Sequence, residues 1–169
     1  MSHYFQTPTE PAREHTIDVT IWGRRYSLTT SDGVFSMSRL DKGTAVLLNE
    51  LDPPNGLTDR LMAMRPEEVD PAQRFDEIWS NPPIRIGKAA LHEMLLTWLG
   101  HLTDAGVAHL VVGKNLGADS LARWLNEQGW PTQRVASSTG FRVLDVRRGR
   151  GAPSPVGTSR YGSPEPYCT

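Results

Sequence analysis

The sequence has a single cysteine and no long hydrophobic run. Cys168 lies one residue from the end of the 169-residue chain, so it can neither form a disulfide within the chain nor supply a zinc site of known spacing. The apolar run at residues 45–48 is far shorter than the about 20 residues that span a bilayer. The first residues contain no basic region followed by an apolar stretch, which is the pattern of a secretory signal. We therefore expect a cytoplasmic protein that does not cross a membrane.

Negative charge exceeds positive charge outside the C-terminal end. The net charge is −1, but residues 1–146 hold 14 basic and 18 acidic side chains, a balance of −4. Such a chain presents no broad cationic surface, so a nucleic acid would have to be held by a local basic patch. His92, His101 and His109 have no cysteine or carboxylate at a zinc-site spacing. We therefore expect no metal.

The composition, 38% hydrophobic and 22% charged, is typical of a globular protein with one core. We expect a single domain over residues 1–147. The tail from residue 148 onward is rich in arginine, glycine and proline and has too little apolar surface to bury. We predict that residues 148–169 are disordered.

The first half of the chain shows two local patterns and a junction. Apolar and polar residues alternate at 17–21 and 26–29 on either side of Gly23, which predicts a β-hairpin. Asp41 precedes a helical pattern and predicts the cap of a helix over residues 40–51. Residues 52–74 contain several prolines and little periodicity. We interpret them as a junction.

The second half begins with a strand, a turn and a helix. Residues 75–79 are interpreted as the end of a buried strand that leads into the turn at residues 81–84. Apolar residues from Leu91 to Leu102 then recur at i, i+3, i+4, i+7, i+8 and i+11, which predicts an amphipathic helix.

Strand and helix patterns alternate again in the last part. Gly106 is expected to end a connection, and the apolar run at 108–112 predicts a strand covered on both faces. Asp119 or Ser120 is predicted to cap a helix with Leu121, Trp124 and Leu125 inward, and Gly129 to end it. Residues 134–137 and 141–146 predict two antiparallel strands that close the sheet edge. The succession indicates an α/β domain.

The turn Asn81-Pro82-Pro83-Ile84 has the composition of a site for an amino group. Two prolines fix an extended backbone, and because proline has no N–H, we expect the neighbouring carbonyls to make no local hydrogen bonds and to face a ligand. Asn81 adds a side-chain carbonyl acceptor. Two fixed acceptors would orient the lone pair of an exocyclic amine towards an electrophile. A plain loop after a strand is the alternative, since Asn-Pro often begins a turn.

Five segments resemble, in order, the class I S-adenosylmethionine-dependent methyltransferases of the "methyltransferase small" group, which includes ribosomal RNA guanine-N2 methyltransferases. They cover residues 1 to about 147. They are Gly33-Val34-Phe35-Ser36, Leu40-Asp41-Lys42-Gly43-Thr44 with Leu47-Leu48, Asn81-Pro82-Pro83-Ile84-Arg85-Ile86-Gly87-Lys88, His109-Leu110-Val111-Val112, and Gly140-Phe141-Arg142-Val143-Leu144.

The resemblance implies a function and a site. The turn Asn81-Pro82-Pro83-Ile84 would bind the target amine of an RNA guanine, and Asn81 would also contact S-adenosylmethionine. The family often has an aromatic residue in the fourth position, where Ile84 leaves an apolar contact without stacking. Independently of the resemblance, Arg85 and Lys88 flank the turn and could hold an RNA phosphate, and Lys114 could approach the same strand end. Solvated surface charges without a function are the alternative for these three residues.

The resemblance also implies elements that this sequence lacks. The family places a glycine-rich loop after its first strand and an acidic ribose contact after its second, both between the residues 40–51 helix and the residues 75–79 strand. The only Gly-x-Gly in this chain is Gly149-Arg150-Gly151, in the tail. About 50 residues, or two strand–helix units, are expected to be missing. The fold expected is therefore an incomplete Rossmann-like methyltransferase sheet with a small N-terminal β unit and an antiparallel C-terminal edge.

Three functions stay open on this basis. The chain could methylate an RNA guanine amine, it could bind RNA without cofactor as an inactive relative, or it could be a deletion product without a function. Losing central strands would expose two strand edges, through which a homodimer could form.

Overall fold

The computed structural model describes residues 14–31, 39–51 and 68–150. These residues form a two-stranded sheet, a four-stranded sheet and three helices. The segment 33–36, most of the junction and the tail from residue 151 lie outside the described residues, and the predictions for them stay predictions. The elements are β1 (Glu14–Ile21), β2 (Arg24–Ser31), α1 (Lys42–Glu50), β3 (Phe75–Ser80), α2 (Lys88–Leu99), β4 (Leu102–Gly113), α3 (Ala118–Glu127), β5 (Thr132–Ser138) and β6 (Phe141–Arg147).

The predicted hairpin is confirmed. β1 and β2 pair antiparallel around Trp22 and Gly23, which both have positive φ angles, of 50° and 72°. Such a two-residue turn matches the twist of the flanking strands. The Trp22 indole N–H donates to the Leu51 carbonyl at 2.9 Å, and its ring meets Trp79 edge to face with the centroids 6.0 Å apart. The hairpin turn therefore rests on α1 and the large sheet.

The four-stranded sheet has the order β3-β4-β6-β5. β3 and β4 are parallel, whereas β6 is antiparallel to both β4 and β5. The carboxyl ends of β3 and β4 therefore meet at the edge where β6 begins. The prediction of an α/β fold with an antiparallel C-terminal edge is confirmed.

The prediction that β3 is a buried strand is wrong. Asp76 and Glu77 are exposed, and the other four residues of the strand are half-buried. The physical reason is its position, because β3 is the outermost strand of the sheet in the part of the chain that is described.

Two boundaries around β4 also differ from the prediction. α2 ends at Leu99 because the N–H groups of Gly100 and His101 bond to the carbonyls of Leu96 and Trp98 and turn the chain. Leu102 is fully buried, but it begins β4 instead of extending the helix. Gly106 lies inside β4 and not before it, at an irregularity between the pairs Phe75↔Leu102 and Glu77↔Val107.

The predicted cap of α3 is wrong as well. The helix begins at Ala118, and Gly117, with φ of 92°, occupies the N-cap position without a side-chain hydrogen bond. Asp119 and Ser120 therefore lie inside the first turn of the helix and do not cap it, and the Asp119 carboxylate pairs with Arg142 on β6. The inward positions of Leu121 and Leu125 are confirmed, while Trp124 is half-buried.

The helices cover the sheet from both sides. α2 and α3 pack on one face over a core that contains Leu95, Leu110 and Leu144. α1 packs on the other face, where Val46 and Leu47 contact Val111 and Val143. This placement brings the N-terminus of α1 to the carboxyl end of β3, where the candidate site lies.

The C-terminal segment is described as far as residue 150. Arg148, which we assigned to the tail, donates to the Leu102 carbonyl at 3.2 Å and lies 5.8 Å from the centre of the Trp130 ring. Among the residues described, no helix is long and apolar enough to cross a bilayer.

Candidate functional site

The Asn-Pro-Pro turn joins the end of β3 to a short 3-10 turn, Ile84–Ile86, that leads into α2. Pro82 is buried, whereas Asn81 and Pro83 are exposed. Ligands of open α/β sheets bind outside the carboxyl ends of the strands, which is the position of this turn.

The N-terminus of α1 holds the side chain of Asn81. The Asn81 amide nitrogen, Nδ2, donates to Asp41 Oδ2 at 2.5 Å and to Thr44 Oγ1 at 3.2 Å. The same Asp41 oxygen accepts from the Thr44 backbone N–H at 3.1 Å and so caps α1, as the sequence predicted. One carboxylate therefore ties the helix to the turn.

Gly43 makes this contact possible. A Cβ atom at position 43 would lie 3.0 Å from Nδ2 and 3.1 Å from Oδ1 of Asn81. Both distances are tighter than ordinary van der Waals contact. The absence of a side chain at residue 43 lets the Asn81 amide lie flat against the first turn of α1.

The expected free carbonyls are not found. The Ile84 N–H donates to the Pro82 carbonyl at 2.9 Å, and the Ile86 N–H donates to the Pro83 carbonyl at 3.1 Å. The prediction failed because prolines remove only their own N–H groups, and the 3-10 turn supplies N–H groups from the following residues. A carbonyl has two lone pairs, so Pro82 keeps one acceptor position.

Ile84 is half-buried and packs against the core beneath α2 and α3. The cations Arg85, Lys88 and Lys114 are exposed. Arg85 and Lys114 follow the neighbouring carboxyl ends of β3 and β4, and the Lys114 N–H donates to the Gly140 carbonyl at 2.8 Å. Two of the three predicted cations thus border the same sheet edge as Asn81.

Lys88 faces a different neighbour. It begins α2, one turn before His92, whose ring stacks on Trp124 with the centroids 3.4 Å apart. Burial, and next the positive charge of Lys88, lower the pKa of the His92 imidazole below its usual value. Both effects favour the neutral form of the imidazole over the charged form.

Three residues of the site were missed as site residues. Asp41, Gly43 and Thr44 contact the Asn81 amide, but we predicted Asp41 only as a helix cap. The available signal was the segment Leu40-Asp41-Lys42-Gly43-Thr44, which carries part of the family resemblance. Within the described ranges, no group of three or more His, Cys, Asp or Glu side chains is placed to hold a metal ion.

The geometry can be compared with known proteins. The family model of the methyltransferase small domain matches residues 55–145, which is more than half of the chain. This chain belongs to the methyltransferase small domain family. The suspected resemblance to this group of class I S-adenosylmethionine-dependent methyltransferases is confirmed.

This chain is also similar to two individual proteins. "Uncharacterized protein YbxB" of Bacillus subtilis (strain 168) is 21% identical over 196 residues, which cover 86% of this chain and 98% of the relative. The solved structure of the T. thermophilus 16S rRNA N2 G1207 methyltransferase (RsmC), in complex with AdoMet and guanosine, matches with a TM-score of 0.64 and 19% identity. The match covers 83% of this chain and 52% of that structure, so this chain spans about half its length. The structural likeness confirms the partial Rossmann-like fold.

The residues described do not by themselves fit S-adenosylmethionine. A nucleoside cofactor in a sheet of this type needs close approach to a glycine-rich loop and an acidic contact to its ribose. The only Gly-x-Gly of this sequence begins at Gly149, whose backbone lies so close to the Gly129 carbonyl that a Cβ atom would collide with it. Asn81 is the one predicted cofactor contact in the described part of the chain.

Proposed function

We propose that this chain recognises a guanine in RNA through the exocyclic amine of the base, which is the acceptor in methyl transfer to N2. The observation that carries the proposal is the Asn81 side chain, held by Asp41 at the carboxyl end of β3. Membership of the methyltransferase small domain family supports the reaction class. The RsmC structure, which contains guanosine, supports the choice of base.

In the proposed complex, the amine donates its hydrogens to Asn81 Oδ1 and to the second lone pair of the Pro82 carbonyl. Two acceptors on one amine fix its orientation, and positioning of this kind makes a large contribution to bimolecular reactions. Ile84 offers an apolar contact to the base. Arg85 and Lys114 bind phosphates on either side, which adds affinity without sequence preference.

Whether the amine is methylated depends on S-adenosylmethionine, the methyl donor that the family resemblance implies. The alignment with YbxB spans 196 positions, but 86% of this chain is only about 145 residues. This difference supports the proposal that about 50 residues are absent before β3, where the family has its glycine-rich loop. We therefore also propose a second function, recognition of the guanine without methyl transfer.

The comparisons give no support to the homodimer that the exposed strand edges suggested.

The test uses the purified chain, a short single-stranded RNA with one guanine, and S-adenosylmethionine. Calorimetric titration measures cofactor binding, fluorescence anisotropy measures RNA binding, and mass spectrometry of the digested RNA measures methylation. Saturable cofactor binding with N2-methylguanine in the product supports methyl transfer. RNA binding that weakens in Asn81→Ala, without cofactor binding, supports recognition alone. A chain that does not bind the RNA overturns both functions.

A further inference from the structure

The Asn81 amide is held in one of its two possible orientations. Nitrogen and oxygen of an amide look alike in shape, so the orientation must come from chemistry. An ionised carboxylate can only accept hydrogen bonds. The Asn81 atom that lies 2.5 Å from Asp41 Oδ2 must therefore be the NH₂ group.

The second amide hydrogen is also used. Thr44 Oγ1 lies 3.2 Å from the same nitrogen, and its own hydroxyl hydrogen can point to Asp41 Oδ2 at 3.4 Å. A lone pair of Thr44 Oγ1 can then accept a hydrogen bond from Asn81 Nδ2. Asp41 and Thr44 together engage both donors of the amide, so Oδ1 is the polar atom that remains for a ligand.

The surroundings of Oδ1 agree with this role. Asn81 is exposed, and no hydrogen bond to Oδ1 is found among the described residues. Gly43 lies beside the amide, and its lack of a side chain leaves room for the amide in this position.

We infer that Asp41 is a positioning residue that fixes Asn81 as an acceptor and thereby makes the site select a hydrogen-bond donor. A base that presents an amine fits, whereas one that presents a carbonyl or no group leaves Oδ1 without a partner. The inference rests on the proposed function, in which the ligand is the exocyclic amine of guanine. The inference adds Asp41 as the residue that makes the site select a hydrogen-bond donor.

The first experiment measures discrimination between two RNAs that differ by that amine. Inosine lacks the 2-amino group of guanosine, so the same oligoribonucleotide is made with one guanosine or one inosine. Inosine loses two hydrogen bonds, to Asn81 Oδ1 and to the Pro82 carbonyl, so the wild-type protein is expected to bind the guanosine RNA about 10- to 100-fold more tightly. Asp41→Ser keeps an N-cap of similar strength but has no carboxylate to reach Asn81. In this variant the ratio of the two dissociation constants falls by about three- to tenfold, to the part that the Pro82 carbonyl contributes.

Two further variants separate positioning from stability. Asp70→Ser is the matched control, because Asp70 caps a turn through the Ala72 N–H at 2.8 Å at the opposite end of β3. It keeps the wild-type ratio. Asp41→Asn retains an oxygen in place and restores part of the discrimination. If Asp41→Ser binds the RNA, melts like the Asp70→Ser control and still discriminates as the wild type does, the inference is overturned.

The second experiment is independent of RNA. Nuclear magnetic resonance measures hydrogen exchange of the Asn81 side-chain NH₂, assigned by its loss in Asn81→Ala, with the exposed Asn115 as internal reference. Exchange is expected to be slower at Asn81 than at Asn115 and to become several-fold faster in Asp41→Ser. Equal exchange in wild type and Asp41→Ser contradicts the positioning role. If exchange behaves as expected but no RNA binds, the positioning role of Asp41 stands and the proposed ligand is wrong.

Discussion

His109 on β4 lies directly opposite Asp145 on β6, with His109 Nδ1 2.7 Å from Asp145 Oδ1. The pair lies on the face of the sheet that α1 covers, and Trp79 meets the imidazole edge to face at 5.1 Å. His109 is only 9% exposed, so water has little access to replace the carboxylate. The pair therefore joins two central strands by a side-chain hydrogen bond.

Asp145→Ala should lower the free energy of unfolding by about 1–3 kcal/mol, because it leaves a buried ring nitrogen without a partner. Urea denaturation measures the change. Asp104→Ala is the matched control, since Asp104 is fully exposed and lies 4.0 Å from Arg148. It should leave stability almost unchanged. If both variants lose the same free energy of unfolding, the hydrogen bond between Asp145 and His109 does not contribute to stability.

The stacked pair His92 and Trp124 predicts a pH effect on stability. The pKa of His92 is lowered in the folded chain, first by burial and then by Lys88, so the folded state binds fewer protons than the unfolded state. This contribution to stability is fully present above the unfolded pKa, about 6.5, and is lost as the pH falls towards the folded pKa.

Lys88→Gln removes the second cause, so the His92 pKa should rise and the loss of stability at acidic pH should be smaller. Titration of the His92 ring by nuclear magnetic resonance reports the pKa, and Trp124 fluorescence reports the stacking. Lys42→Gln, an exposed lysine at the start of α1, is the control. A wild-type His92 that titrates at or above its usual value would contradict this prediction.

The sequence predicted the elements that depend on neighbours in the chain. Alternation and Gly23 predicted the hairpin, and Asp41 predicted the start of α1. Features that depend on distant residues were not predicted. Gly106 lies in β4 because that strand pairs with β3. Asp119 does not cap α3, because the helix already begins at Ala118, and its carboxylate pairs with the distant Arg142.

In the candidate site too, features that depend on neighbours in the chain were predicted and contacts between distant residues were not. Asn81 and its prolines were predicted from the turn itself. Asp41 lies 40 positions earlier in the chain, and no periodicity relates two side chains at that separation. The hydrogen bonds of the Pro82 and Pro83 carbonyls were missed because the 3-10 turn after them was not predicted.

Gly43→Ala should disturb the site while it preserves the fold. Alanine favours a helix over glycine by about 0.5–1 kcal/mol, but its Cβ would press on the exposed Asn81 amide. The amide can rotate away, so we expect the free energy of unfolding to change by less than about 1 kcal/mol. The guanosine-to-inosine binding ratio should fall by about three- to tenfold. Lys42→Ala in the same helical turn should keep the ratio, and a normal ratio in Gly43→Ala would count against the close fit.

Arg85→Gln and Lys114→Gln should each weaken RNA binding and reduce its salt dependence. Each phosphate contact on a single strand contributes about 0.7 to the slope of log affinity against log salt. The slope is measured by anisotropy at several salt concentrations. Arg147→Gln is the control, because Arg147 is exposed at the opposite end of the sheet. A loss of slope in Arg147→Gln equal to that in the other two would place the RNA elsewhere.

The most direct test of the central claim is to map the bound RNA by nuclear magnetic resonance. A short single-stranded RNA with one guanine is titrated into ¹⁵N-labelled protein, and backbone and side-chain amide shifts are followed. We expect the largest changes at the Asn81 side chain, Ile84, Arg85 and Lys114, and we expect them to shrink when inosine replaces guanosine. Changes that cluster on another surface, or that are the same for both RNAs, would contradict recognition of the guanine amine at Asn81.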